Sequence, residues 1–154
     1  MTWAGRSHVP VQSFMNGKTF VDSNILVYAH DRRSGHKHTI VAEHVQTLWR
    51  EHRGVLSTQV LQEFYVNITQ KSSFPLSPTE AKRIIRNYLL WEVVVNDGES
   101  VLDAIDIQMR FRLSFWDALI VHAALSAGCA TLLSEDLNQG QWYESLLVVN
   151  PFRQ

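Results

Sequence analysis

Four acidic residues carry the chemistry this sequence could do: Asp22, Glu63, Asp117 and Asp136. Asp22 follows the β-prone run Thr19-Phe20-Val21, and Asp136 comes just after Leu132-Leu133-Ser134. Glu63 lies in the apolar segment Val60 to Val66, and Asp117 in Phe115 to Val121. On a helix, Asp117 would share a face with Ile120, Val121 and Ala124. A carboxylate on an apolar stripe is costly unless it is paired, hydrogen-bonded or bound to a metal. Singly, each acid also has a structural reading. Asp22 would cap the helix beginning at Ser23, and Glu63 would pair with a base. Asp117 would complete a capping box with Ser114, and Asp136 would shape a turn. Their coincidence is what points to a site.

The sequence holds no Gly-x-x-x-x-Gly-Lys loop to cradle a nucleotide phosphate and no Gly-x-Ser-x-Gly elbow. Its single cysteine, Cys129, excludes an intrachain disulfide and a cysteine zinc site. Set between Gly128 and Ala130, Cys129 reads as core rather than nucleophile. What remains is a set of hard oxygen ligands for a hard cation. Mg²⁺ is held by one or two carboxylates together with water and substrate phosphates. Two such ions, about 3.5–4 Å apart, clamp both oxygens of a phosphodiester under attack.

The elements that must position these acids follow from hydrophobic spacing. Short strands are expected at Thr19–Val21, Val55–Ser57, Trp91–Val95, Ala130–Leu133 and Leu146–Val149. Helical spacing is expected from His38 to Arg50, ending near Gly54, and after Thr58 as its cap. Ser77-Pro78-Thr79-Glu80 reads as a helix start, as does Ser100, and Ser114 opens an apolar helix that Gly128 closes. Strands alternating with helices argue for an α/β fold with a mostly parallel sheet. Such sheets place their sites outside the carboxyl ends of the strands. Two of the acids fall at strand exits and two near helix starts.

With 154 residues the chain fits one domain, and 45 % hydrophobic against 19 % charged residues excludes intrinsic disorder. Residues 1–18 show no periodicity and read as a poorly ordered extension, with Met15 as a possible natural start. Residues 19–154 form the domain. No apolar run reaches the roughly 18 residues of a membrane span, so a soluble, cytoplasmic protein is expected. The formal net charge of −1 argues against a purely electrostatic nucleic-acid binder. With four of the 15 acids committed to a site, however, 11 would face 14 bases.

The same residues carry a family likeness. Phe20-Val21-Asp22-Ser23-Asn24-Ile25-Leu26-Val27-Tyr28 resembles the opening motif of PIN domains, especially the VapC-type toxin ribonucleases. Gln62-Glu63-Phe64-Tyr65 is similar to the second motif, Leu113 to Ile120 to the third, and Leu132 to Asn138 to the fourth. All four occur in the family's order. The resemblance implies a three-layer α/β/α PIN-like fold and a Mg²⁺- or Mn²⁺-dependent endoribonuclease cutting single-stranded or structured RNA. Asp22, Glu63, Asp117 and Asp136 would be its acidic quartet, with Ser23 and Asn24 supporting the first acid and Ser134 beside the last. It also implies products with 5′-phosphate and 3′-hydroxyl ends, a VapB-like antitoxin partner and a homodimer. The fourth motif departs from the family's frequent Asp-x-Asp. Here it reads Glu135-Asp136-Leu137-Asn138, so either Glu135 or Asp136 supplies the fourth acid, with Asn138 in a supporting place.

Among the bases, Arg110 and Arg112 shortly before Asp117 are the best candidates for RNA phosphates. His30, His36 and His38 read as a solvated loop and Trp49 and Trp91 as core; Trp116 and Trp142, near motif acids, read as packing ahead of the alternative of base stacking against substrate. Two other functions stay open on the sequence. One is a catalytically silent PIN-like module that binds RNA or protein. The other is a phosphotransfer fold of the haloacid-dehalogenase type, which would want an acid where Asn24 stands.

Overall fold

The structure, a computed structural model, describes residues 17–153. Residues 1–16 of the expected extension lie outside that range. Lys18 is joined to the domain: its ammonium pairs with Glu92 at 3.0 Å and its carbonyl accepts from Ala130 N at 2.9 Å.

Six strands form one sheet: β1 (Thr19–Val21), β2 (Gly54–Ser57), β3 (Glu92–Val94), β4 (Thr131–Leu133), β5 (Trp142–Tyr143) and β6 (Leu146–Val149). Their order is β3-β2-β1-β4-β6-β5, all pairs parallel except β5 with β6. The helices are α1 (Ser23–His30), α2 (His36–Glu51), α3 (Thr58–Val66), α4 (Pro78–Tyr88), α5 (Gly98–Phe111) and α6 (Phe115–Ser126). A π-helical turn, Asn67–Lys71, extends α3.

The crossovers β1–α1–α2–β2 and β2–α3–α4–β3 both move the chain one way along the sheet. The crossover through α5 and α6 brings it back past β1 to β4. Right-handed connections therefore put α1 to α4 on one face and α5 and α6 on the other, giving three layers. The packing agrees: α1 lies on α2 and α3, α3 on α4, and α6 on α5, β2 and β4. The reversal falls between β1 and β4, the switch point at which open α/β sheets form their crevices. Phe20, Val21, Val55, Leu56 and Leu132 of the central strands are fully buried between the layers.

Local chemistry moves several expected boundaries. Ser57, not Thr58, caps α3, its hydroxyl accepting from Val60 N at 3.3 Å. Asp97 caps α5, and Ser100 is the reciprocal member of that capping box. The box at Ser77 and Glu80 forms as expected. At α6 only half a box forms: Ser114 Oγ accepts from Asp117 N at 3.1 Å, and the Asp117 carboxylate does not reach back. Gly128, at φ +72°, ends α6 in a Schellman motif, with Gly128 N bonded to Leu125 O and Cys129 N to Ala124 O. Gly54 is no helix stop. Helix α2 ends at His52 in the left-handed region, and Gly54 opens β2 because a Cβ there would lie 2.3 Å from the Trp91 ring. Strand β5 is an antiparallel edge of two residues, too short for the sequence pattern to reveal. Among the described residues no helix is long and apolar enough to cross a membrane.

Candidate active site

A cavity of about 440 Å³ opens at the switch point, lined by Asp22, Glu63, Asp117 and Asp136. Four separate elements deliver these four acids. Asp22 leaves the end of β1 and caps α1, its Oδ1 accepting from Ser23 N at 2.7 Å. Glu63 projects from the second turn of α3, Asp117 from the first turn of α6, and Asp136 from the bend after β4. The structural reading of Asp22 as an N-cap thus holds alongside its place in the cavity.

The supporting bonds are permuted relative to the expectation. Ser134 Oγ donates to Asp22 Oδ2 at 2.7 Å, so the serine of the last motif holds the first acid. Ser23 Oγ donates to Glu63 Oε1 at 3.0 Å. Asn24 Nδ2 donates to Asp136 Oδ2 at 2.9 Å, while its Oδ1 accepts from Glu135 N at 3.3 Å. Gln59, one turn before Glu63, donates to Glu63 Oε2 at 3.3 Å and to Trp116 O at 3.2 Å. Among the described residues the Asp117 carboxylate accepts no hydrogen bond.

Glu135 and Asp136, adjacent in sequence, part company in space. Glu135 turns away from the cavity to an ion pair with Lys37 and accepts from Tyr28 OH at 2.6 Å. Burial opposes its ionisation, but these two donors outweigh burial and hold Glu135 below the usual carboxylate range. Asp136 is exposed and faces the cavity.

Asp22 is 6 % exposed, and its carboxyl is pushed up to about 6. Burial is the main cause. The Glu63 and Asp136 carboxylates push the same way, while the bonds from Ser134 and the Ser23 amide oppose it. An acid strained in this way, with like charges beside it, gains from a cation.

The donors are all hard carboxylate oxygens, which fits Mg²⁺ or Mn²⁺ rather than a soft metal. Among the described residues no three His, Cys, Asp or Glu side chains close tightly on a point. The four acids instead ring the cavity. This arrangement suits an ion completed by water and phosphate rather than one enclosed by protein.

Other expected residues lie elsewhere. Asn138 gives its carbonyl to a turn, accepting from Gln141 N at 3.1 Å, and does not line the cavity. Arg110 pairs with Glu144 at 3.6 Å over the Phe111 ring, and Arg112 ends α5 in a left-handed conformation; neither lines the cavity. The cation that does line it is Lys71, joined there by Gln59, Gln62 and Asn67. Sequence reasoning missed these four. The Gln62-Glu63 pair within a motif was the available signal, but Lys71 depends on the π-helical turn. His38 Nδ1 bonds Tyr28 O at 2.8 Å and His30 Nε2 bonds Tyr88 OH at 2.7 Å, so both serve packing rather than a solvated loop.

With this geometry in place, comparison with known proteins is informative. A family model described as the PIN domain matches residues 19–143, and the chain belongs to the PIN domain family. Solved structures share its fold. VapC20 of Mycobacterium tuberculosis, described as a sarcin–ricin loop cleaving toxin, superimposes with a TM-score of 0.61 at 18 % identity, covering 77 % of this chain and 90 % of that one. A chain of VapBC2 from Rickettsia felis, bound to a DNA fragment from its promoter, gives 0.60 at 15 % identity, covering 84 % and 96 %. A chain of DNA-bound VapBC from Salmonella typhimurium gives 0.60 at 15 % identity, covering 86 % and 96 %. No curated protein sequence matches the chain significantly.

Proposed function

We propose that this chain is a Mg²⁺- or Mn²⁺-dependent endoribonuclease that cuts unpaired RNA, and the toxin half of a toxin–antitoxin pair. The observation that carries the reading is the gathering of four acids from four elements in one cavity, the most buried of them pushed up to about 6 by burial and by the carboxylates beside it. A module that only bound RNA or protein would gain nothing from carboxylates that repel phosphate. The VapC and VapBC folds support the toxin and antitoxin parts of the reading.

Asp22, Glu63, Asp117 and Asp136 would hold the metal. Such an ion, when bound, lowers the pKa of water and neutralises charge on the phosphate under attack. The chain's own groups do the positioning. Ser134 and the Ser23 amide fix the Asp22 carboxyl, Asn24 fixes Asp136, and Ser23 with Gln59 fixes Glu63. The Asp117 carboxylate, which accepts no hydrogen bond among the described residues, would be left to the ion alone. Lys71 offsets the negative charge of an approaching phosphate. Cys129 is buried and its thiol is pushed up to about 12, so it supplies no covalent nucleophile and water is the attacking group. The expected products carry 5′-phosphate and 3′-hydroxyl ends.

An antitoxin and a second copy both need apolar surface. The outer face of α5 offers Val101, Leu102, Ile105 and Met109, all exposed and within one helical arc of about 100°. The test of the catalytic reading is cleavage of a labelled single strand by purified protein. Cleavage should stop in EDTA and return with Mg²⁺ or Mn²⁺. Cleavage undiminished in excess chelator, or absent under every metal, contradicts it.

A further inference from the structure

Trp116 does not pack as an ordinary tryptophan. Trp91 is 9 % exposed within an aromatic cluster, whereas Trp116 is 62 % exposed. So large an apolar ring seldom stands in water without a role. It precedes Asp117 and lines the same cavity as the four acids. Its ring has one aromatic neighbour and its backbone one side-chain partner. The ring lies edge-to-face on Phe115, centroids 5.2 Å apart at 78°, and its carbonyl accepts from the buried Gln59 amide at 3.2 Å. The indole thus stands at the cavity with one neighbouring ring and most of its surface open.

Lys71 lines the same cavity and makes no ion pair among the described residues. Gln62 and Asn67 border it with polar amides. An exposed π-face, a cation with no ion pair among the described residues and amide groups around one hollow match the three parts of a nucleotide: base, phosphate and polar edge. A protein hot spot would instead sit within a broad apolar surround. Here only Val66 and Ile120 supply apolar neighbours from the cavity wall.

We propose that Trp116 is the platform on which an unpaired base stacks beside the scissile phosphate, and that Lys71 grips a phosphate of the same strand. The proposal rests on the ribonuclease reading and deepens it, because stacking on Trp116 requires a base whose face is free. Paired bases inside a helix have both faces covered by their neighbours. The cavity therefore selects loops, bulges and single strands by the state of one base rather than by its identity.

The experiment is binding of two labelled probes in EDTA, where no cutting is expected. One is a uridine pentamer, the other the same pentamer with an abasic ribose at its centre. Wild type should bind the intact pentamer about tenfold more tightly. Trp116→Leu should bind both probes alike, at the abasic level. Trp116→Phe, which keeps an aromatic face, should restore most of the preference and shows that the effect is not misfolding. Lys71→Gln should weaken both probes equally and lower the log–log salt slope by about 0.7. Trp116→Leu that keeps the preference overturns the platform and gives the exposed ring to a protein contact. Lys71→Gln with an unchanged salt slope removes the phosphate grip. A wild type that binds both probes equally well overturns stacking while leaving the RNA reading in place. A wild type with no salt-dependent binding to either probe takes both down together.

Discussion

Two regions of this chain treat polar and aromatic residues in opposite ways. Near the far edge of the sheet, His30, Trp49, Tyr88 and Trp91 form a closed cluster with centroids 5.1 to 5.4 Å apart. There Tyr88 is 1 % exposed, its hydroxyl bonds His30 Nε2, and Trp91 fills the space that Gly54 leaves. At the switch point the chain does the reverse. It gathers four carboxylates, raises the pKa of one, leaves the Asp117 carboxylate without a hydrogen bond among the described residues and holds Trp116 in water. The first region is solved for stability and the second is poised for a ligand. A residue type does not reveal its role; the state of its surroundings does.

That contrast can be broken most forcefully at Asp117. Asp117→Asn should lower RNA cleavage by well over 10²-fold, since even residues that merely orient a metal ligand cost 10–100-fold when changed. In the aromatic cluster the loss should appear in stability instead. Trp91→Ala should destabilise the fold by about 3–5 kcal/mol in denaturant melts. Gly54→Ala, which forces a methyl against that ring, should cost about 1–3 kcal/mol. Neither change should alter the metal dependence of cleavage in protein that remains folded.

The two regions should also respond to pH with opposite signs. Burial depresses His30 to about 4 from 6.5, so the unfolded chain binds the extra proton between those values. The stability that neutral His30 contributes is present above pH 6.5 and lost as pH falls toward 4. Asp22 is raised from 3.8 to about 6, so in that window the folded chain binds the extra proton and stability falls as pH rises. Each contribution is on the order of 3 kcal/mol. Measured in EDTA, Asp22→Asn should gain stability more steeply than wild type from pH 4 to 6, and His30→Phe less steeply. Identical pH profiles for all three would erase the distinction between the regions. The smallest effect is expected at the boundary of α6. Ser114→Ala should cost about 1 kcal/mol as a lost cap while cleavage persists, because Ser114 bonds the Asp117 amide and not its carboxylate.

Much of the fold was legible in the sequence because strand and helix periods alternate cleanly from Thr19 onward. Asp22 and Asp136 were legible because a parallel sheet puts its chemistry at strand exits, and Glu63 and Asp117 because a carboxylate on an apolar helical stripe needs a partner; all four line one cavity. What failed to show depends on distant partners. Asn24 supports Asp136 across 112 positions, and Lys37 draws Glu135 aside across 98. No local pattern encodes either choice. Packing was preferred to stacking for Trp116, because α6 is apolar nearly all round and periodicity cannot show that its first turn projects into the cavity. Arg110 was favoured by nearness to Asp117 along the chain, but Glu144 on the turn between β5 and β6 holds it.

The central claim is that the Asp117 carboxylate waits for a cation rather than supporting the fold. Thermal melting of wild type and Asp117→Asn, each in EDTA and in Mn²⁺, tests it most directly. In EDTA the variant should melt at or slightly above wild type, because asparagine keeps the shape and removes one of four repelling charges. Mn²⁺ should stabilise wild type, by about 2.7 kcal/mol at a hundredfold excess over Kd, and the variant distinctly less. A variant that melts well below wild type in EDTA, with an equal shift in Mn²⁺, would make Asp117 a structural residue and contradict the site.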